Sequence, residues 1–395
     1  MTPLALYIHF PYCLYKCHYC DFNSYAVSFN ENLEEPYLKA LKREWEFHLN
    51  KLVPFTLTSI FLGGGTPSLF SPSGISQLLK MFNSFCDEKI EVTLECNPKT
   101  LDAQKIKDFI SAGINRFSIG VQSFNDQYLS PLGRLHTGEE AKQTLSLFQS
   151  IKNLNWNFDL MFGFPGQTLE EVLDDLETAV NFHPNHLSFY ELTLEPGTLF
   201  FQQEKQGKWR LPENSIQTEM YIEGVRFLES KGYRQYEISN FAQAEFESKH
   251  NLTYWNYEKY LGLGAGATSF LGEGMMSTPP TEINPLTYGY RWTSPKKPID
   301  YLNWAGNPIP AESMELISSS TAQFEFLMMG LRLQKGISID DFIQRFGEEA
   351  FYSYQPTISS LEKKEFLQKT TNSIYLTEKG RLMANEVLAC FLKDV

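Results

Sequence analysis

The sequence predicts an α/β protein: a partial (β/α)6, TIM-like barrel followed by a small C-terminal domain of helical, winged-helix-like type. Three observations predict it. From residue 4 to about residue 192, short β-rich runs alternate with amphipathic helical patterns, the signature of successive βα units on a parallel sheet. Polar residues and glycines collect at the ends of those runs, where parallel sheets present ligand-binding groups. The 395 residues are also more than one compact domain of usual size needs, which leaves room for a second, smaller unit.

Strands are expected at 4–10, 57–62, 90–96, 116–121, 157–162 and 186–192, with helices at about 33–50, 72–85, 102–112, 138–152 and 168–182. Helix starts are marked by Ser71-Pro72 and by Thr168 with Glu171 three residues on, a capping-box pattern. One rim then gathers the cysteine loop after the first strand, Gly63-Gly64-Gly65-Thr66-Pro67 after the second and Glu95 with Asn97-Pro98 after the third. Gln122-Ser123 follows the fourth strand, and Asp159 with Gly163-Phe164-Pro165-Gly166 marks the fifth.

Beyond the barrel (1–200), an extension over 201–275 reads as a helix at about 213–231, a strand-like 233–239 and the glycine-dense Gly262-Leu263-Gly264-Ala265-Gly266-Ala267. Seven prolines from Pro279 to Pro310 predict an irregular connection over 276–311. The small domain, 312–395, reads as a helix near 312–332, short helices and a terminal strand-turn-helix over 373–395. Acidic residues outnumber basic ones there, which favours a structural or protein-binding role over DNA binding.

Composition narrows the function classes. A net charge of −13 disfavours nucleic acid, whose affinity rests on phosphate neutralisation by Lys and Arg. The first dozen residues lack a basic n-region and no apolar run reaches membrane-spanning length, so a cytoplasmic protein is expected, soluble or peripheral at the inner membrane face. Aromatic content of 14% suits a large core and equally a flat hydrophobic ligand. Of six cysteines, Cys86, Cys96 and Cys390 fall in apolar patterns and read as core.

The other three carry the chemistry. Cys13, Cys17 and Cys20 form a C-x3-C-x2-C loop directly after the first strand. Three thiolates can converge on one metal centre, whereas closed zinc and iron-sulfur sites take four protein ligands. A four-iron cluster on three cysteines leaves one iron open for a small molecule. A Cys3His zinc site completed by His9 or His18 is the competing reading, and with it a zinc-stabilised interaction module. The glycine run needs its glycines if backbone approaches a ligand closely, and the Glu95 carboxylate at an apolar strand end is costly unless it accepts hydrogen bonds.

With Tyr19 before its last cysteine, the loop resembles the signature of the radical S-adenosylmethionine (SAM) superfamily, in which SAM chelates the open iron of a [4Fe-4S] cluster. Gly64-Gly65-Thr66-Pro67 resembles that family's GGTP motif, which cradles the methionine amino group. The strings Arg116–Phe124, Leu132-Gly133-Arg134-Leu135-His136 and Asn157–Gly163 resemble the coproporphyrinogen-oxidase-like branch containing HemN and HemW. The resemblance spans nearly the whole chain and implies a barrel of radical SAM type. It implies cluster ligands at Cys13, Cys17 and Cys20, and SAM contacts at Tyr7, Tyr19, Gly64, Gly65, Thr66, Glu95, Gln122, Arg134 and Asp159.

Within the branch, HemN-like dehydrogenases carry a fourth cysteine two residues beyond the third and an N-terminal extension. Here Phe22 stands at that position and the first strand starts at residue 4. Both departures resemble the HemW-type haem chaperones, as does His250-Asn251-Leu252-Thr253-Tyr254-Trp255, similar to their HNxxYW element. That resemblance implies haem as a ligand, His250 as its candidate axial ligand, and delivery to acceptor haemoproteins or respiratory-chain enzymes, with a homodimer as a further expectation. His9, His136, His183 and His186 are alternative ligands. Oxygen-independent coproporphyrinogen III oxidation is the alternative activity, and it is not expected.

Overall fold

The computed structural model of the chain describes residues 1–277, 287–310 and 313–392. Its strands in chain order are β1 (Thr2–Phe10), β2 (Tyr12–Cys13), β3 (Tyr25–Ala26), β4 (Phe55–Gly64), β5 (Cys86–Cys96), β6 (Arg116–Gln122), β7 (Asn155–Phe162) and β8 (His186–Glu191). There follow β9 (Arg234–Gln235), β10 (Asn240–Ala242), β11 (Tyr260–Leu263), β12 (Thr268–Gly272), β13 (Thr287–Thr293) and β14 (Met314–Ser318). Helices α1 (Glu31–Leu49), α2 (Pro72–Lys80), α3 (Ala103–Ala112), α4 (Asp126–Leu129), α5 (Gly138–Gln149) and α6 (Leu169–Val180) separate the first strands. After them come α7 (Leu199–Lys205), α8 (Asn214–Ser230), α9 (Lys249–Trp255) and α10 (Pro298–Trp304).

The six expected barrel strands, β1, β4, β5, β6, β7 and β8, lie side by side in that order and run parallel. Consecutive residues of β1 (Leu4, Ala5 and Leu6; Ile8, His9 and Phe10) and of β6 (Arg116, Phe117, Ser118 and Ile119) are buried, as strands covered on both faces require. The start signals act as read. Ser71 accepts the Gly74 N–H, Pro72 takes the first helical position where no N–H is needed, and Thr168 and Glu171 cap each other's backbone.

The sheet continues past the expected strands on both sides. β11 pairs parallel with the free edge of β1, followed by antiparallel β12, β13 and β14, while β10 and β9 extend the other edge. The twelve strands form an open row, so the barrel is partial.

Several expectations are corrected here. The run 276–311 is no irregular connection: it holds β13 and α10. Tyr290 and Trp292 are buried with part-exposed Arg291 between them, a strand pattern, and Pro298 sits at the start of α10, where proline is tolerated. Residues 278–286 and 311–312, with three of the seven prolines, lie outside the described residues. The helix expected near 312–332 begins as β14, with α11 (Ser319–Gly330) following. Of the strand expected over 233–239, only Arg234–Gln235 pairs.

The C-terminal module combines α11, α12 (Ile339–Phe346), α13 (Glu348–Ser353), α14 (Gln355–Lys363), α15 (Glu378–Leu382) and α16 (Ala384–Ala389). Its antiparallel sheet consists of β15 (Ile337–Ser338), β17 (Ser373–Leu376) and β16 (Leu367–Lys369), in that spatial order. Phe326, Phe342, Phe351 and Ile374 share one core with Tyr257 and Phe270 of the barrel extension. Arg291–Glu325 and Arg345–Glu258 ion pairs, at 2.6 and 2.5 Å, tie the same junction.

Glu44 of α1 fastens the far side. Fully buried, it accepts hydrogen bonds from the Gly264 N–H (2.8 Å), Ser294 Oγ (2.9 Å) and Tyr301 Oη (2.7 Å). Burial pushes its carboxyl from 4.5 up to about 7, the three donors pulling the other way. A folded pKa above the unfolded one gives stability that is complete below about pH 4.5 and lost as pH rises through about 7. Glu44→Gln keeps the shape without the titration. Wild type should therefore lose about 3 kcal/mol relative to that variant between pH 4.5 and 8. Thermal unfolding of both proteins across that range checks this, and a pH-independent difference would contradict it.

Candidate functional site

The carboxyl ends of the parallel strands surround a cavity of about 530 Å³. Its cover is the cysteine loop, closed on itself where β2 pairs with β3 and fastened to neighbours by the His18 N–H to Leu132 O bond at 2.9 Å. The glycine run after β4 packs directly beneath. Gly65 donates to Phe10 O (2.7 Å) and Thr66 to Tyr12 O (2.8 Å), and a Cβ on Gly65 would lie 2.7 Å from both carbonyl oxygens. Gly64 has φ +108°, and a Cβ there would strike the His9 ring. The loop thus needs glycine for its own packing as well as for any ligand's approach.

The cysteines have polar neighbours. Thr66 Oγ1 lies 3.5 Å from Cys13 Sγ and accepts from Asn97 Nδ2 at 3.0 Å. Arg134 Nη1 lies 3.4 Å from Cys17 Sγ, while Nη2 donates to Asn97 Oδ1 (2.5 Å) and to Gly120 O. Burial pushes the Cys13 and Cys20 thiols up, with hydrogen bonds from Thr66 and the Phe22 backbone opposing it respectively.

Across the cavity stand two carboxylates. Glu95 accepts the Gly64 N–H at 2.9 Å and is pushed up to about 7 by burial, with the Asp159 charge adding to the rise. Burial also raises Asp159, against the pull of Ser188 and of Arg116 and Arg134. Gln122 ends β6 with φ +78° and accepts from Tyr190 Oη at 2.7 Å. A cationic ligand with hydroxyls would meet two carboxylates, glycine backbone and a guanidinium-held wall.

Of the sequence-predicted residues, Cys13, Cys17, Cys20, Tyr19, Gly64, Gly65, Thr66, Glu95, Gln122, Arg134 and Asp159 line this cavity. Tyr7 does not. Its hydroxyl bonds His9 Nδ1 (2.9 Å), and His9 Nε2 reaches Asn23 O (2.8 Å), so the pair braces the cysteine loop from within.

His250 lies elsewhere as well, with 1% exposure. Its Nδ1 bonds Ser59 Oγ (2.8 Å), its Nε2 bonds Tyr254 Oη (2.9 Å), and its ring stacks on Phe61. Burial lowers it to about 3, so it stays neutral. The expected axial ligand therefore has no free nitrogen here, because the HNxxYW-like string forms α9 and packs His250 against β4.

Sequence reasoning did not single out Asn97 as a site residue, although it joins Thr66 to Arg134, nor Tyr190. Both are polar residues at strand ends, the signal that found the others.

The donor set fits a cuboidal cluster better than zinc. Zinc would draw three sulfurs to about 2.3 Å from one point. Among the described residues no three His, Cys, Asp or Glu side chains could hold a single metal ion. A cuboid takes each thiolate on a different iron. Both zinc-completing histidines are also engaged: His9 as above, and His18 with Tyr15 Oη and Pro131 O, each at 2.7 Å.

A cysteine loop lying over the strand ends of an open parallel barrel, with glycine backbone and acidic groups facing it, defines a radical SAM protein. Accordingly, residues 7–179 match the family model described as the Radical SAM superfamily, and residues 317–383 match the HemN C-terminal domain. The chain is 38% identical over 400 residues to "Heme chaperone HemW" of Haemophilus influenzae, covering 100% of this chain and 99% of the relative. It is 35% identical to that of Bacillus subtilis, over 99% and 100%. Identity to "Radical S-adenosyl methionine domain-containing protein 1, mitochondrial" of Danio rerio is 42%, over 99% and 87%. The solved structure of Escherichia coli coproporphyrinogen III oxidase (HemN) matches the fold with a TM-score of 0.78 at 21% identity, covering 99% of this chain and 90% of that one. The chain belongs to the HemW family of the radical SAM superfamily.

Two outcomes follow from the cavity. Cys17→Ala should abolish the visible absorbance of the anaerobically reconstituted protein while far-ultraviolet circular dichroism is kept; iron retained at wild-type stoichiometry would contradict the ligand assignment. Glu95 is neutral below about pH 7 and charged above it. Affinity for the cationic SAM should therefore tighten about ten-fold from pH 6 to 8. Glu95→Gln should flatten that dependence in equilibrium dialysis.

Proposed function

We propose that this chain is a haem chaperone that holds a [4Fe-4S] cluster on Cys13, Cys17 and Cys20, binds SAM in the cavity beside them, and passes haem to acceptor haemoproteins or respiratory-chain enzymes. The observation that carries this reading is identity of 32–38% to proteins named heme chaperone HemW, sustained along nearly the whole chain. The side chain where HemN-like dehydrogenases place a fourth cysteine agrees with it: Phe22 faces the cavity and is 60% exposed. Cluster and SAM together supply reductive cleavage of the sulfonium.

The chain's own residues bind and shield. Thr66 and Arg134 sit beside the cysteine sulfurs, Gly64 and Gly65 present backbone, and Glu95, Gln122 and Asp159 offer acceptors to the amine and ribose hydroxyls. His250 is given no haem-ligating role. No helix among the described residues is long and apolar enough to cross a membrane. A cytoplasmic location, soluble or peripheral at the inner membrane face, belongs to the proposed reading. A homodimer belongs to the same reading, and unchanged size after cluster reconstitution would count against it.

Anaerobic titration of the reconstituted protein with haem, run beside a coproporphyrinogen III decarboxylation assay containing SAM and reductant, tests the reading. Saturable haem binding without vinyl product is expected. Vinyl product would make the chain an oxidase despite Phe22.

A further inference from the structure

The cavity beside the cysteines carries more negative charge than the Glu95 and Asp159 pair supplies. Its lining also includes Asp21, Glu191 and Glu195. These come from separate places in the chain: Asp21 directly follows Cys20, Glu191 ends β8, and Glu195 stands in the turn beyond it. Asp21 and Glu191 are exposed at the mouth, with Glu195 half-buried. None of the five acids takes part in an ion pair among the described residues.

Positive charge is scarce here. The lining holds one basic side chain, Arg134, and its Nη groups are already engaged by Cys17, Asn97 and Gly120. The bases nearby are committed as well. Lys16 lines a groove on the outer side of the cysteine loop, where its Nζ donates to Phe22 O at 3.1 Å. Lys99 pairs with Glu140 at 2.5 Å, and Arg116, 2% exposed, faces Glu91.

An adjoining cleft shares Tyr190, Glu191 and Ser239 with the cavity and brings Arg332 and Arg381. Acids balance both. Glu386 lines that cleft, Glu237 attracts Arg332, and Glu229 and Glu378 stand beside Arg381. Apolar surface, by contrast, is present at the cavity: Phe22 and Tyr15 line it and are 60% and 43% exposed. A flat ring finds contacts there, but carboxylates attached to it find no counter-charge.

A cleft lined by one sign of charge concentrates its field on whatever enters, and specificity rests on such repulsion as much as on attraction. Resting on the SAM-site and haem-chaperone reading above, we propose that Asp21, Glu191 and Glu195 are specificity-determining residues that admit the cationic SAM and turn away tetrapyrroles bearing carboxylates, four-carboxylate porphyrinogens most strongly. Haem, with its two propionates, is thereby kept out of this cavity and carried elsewhere on the chain. Burial pushes the Glu191 carboxyl up, against a hydrogen bond with Gln217, so the rim is at full charge only on the alkaline side of neutrality.

Fluorescence titration of the full-length, reconstituted, SAM-loaded protein at pH 8 with coproporphyrin III and with its uncharged tetramethyl ester tests the rim. Combining Asp21→Asn, Glu191→Gln and Glu195→Gln should tighten the tetra-acid about ten-fold at 50 mM salt, less at 500 mM, and leave the ester unchanged. The cluster's visible absorbance monitors folding of the variant. Wild type alone gives a second readout, because raising salt should tighten the tetra-acid and not the ester. Tetra-acid affinity that responds to neither the substitutions nor salt, or a gain that the ester shares, would overturn the rim's role. Failure of wild type to bind SAM would instead overturn the cavity reading on which it rests.

Discussion

The guanidinium of Arg134 is the constraint around which the candidate site is arranged. It meets Cys17 of the loop after β1, Asn97 after β5 and the Gly120 carbonyl of β6. A half-buried guanidinium still needs acceptors, and its two Nη groups find them on three separate segments that are thereby drawn toward one point. Asn97 passes the order on to Thr66, and Thr66 to Cys13. Cys13 and Cys17 are therefore held by one continuous polar chain that runs through Arg134, Asn97 and Thr66.

Much of this was legible in the sequence, because parallel βα units impose a strict pattern. Strands buried on both faces read as apolar runs, their helices carry caps such as Thr168–Glu171, and ligand groups can emerge only at the carboxyl ends. Eleven of the predicted cluster and SAM residues line one cavity for that reason. What escaped was long-range pairing. β11 completes the free edge of β1 from a run that read only as glycine-dense, and the prolines around β13 hid a strand that pairs with β12 and β14.

Histidine roles were the least legible. Whether an imidazole is a ligand or a core hydrogen-bonding group depends on what faces its two nitrogens, and for His250 those partners are Ser59, 191 residues away, and Tyr254, one helical turn on. The string around it holds the fold together. Ser248 and the N–H groups of Lys249 and His250 meet the buried Glu91, which also lies 3.9 Å from Arg116. Tyr7 likewise acts through His9 on the cysteine loop rather than on the cavity.

Asn23, three residues past Cys20, donates its side-chain amide to Ala265 O and Lys296 O, at 2.8 and 2.9 Å. Those contacts join positions 242 and 273 residues apart. A chain made from its N-terminus exposes its cysteines early, but the clasp that sets their loop forms only after about three-quarters of the polypeptide has left the ribosome. Settling of the cysteine loop and completion of synthesis are thereby placed in order: the loop is fixed only when the strands around Ala265 and Lys296 have arrived.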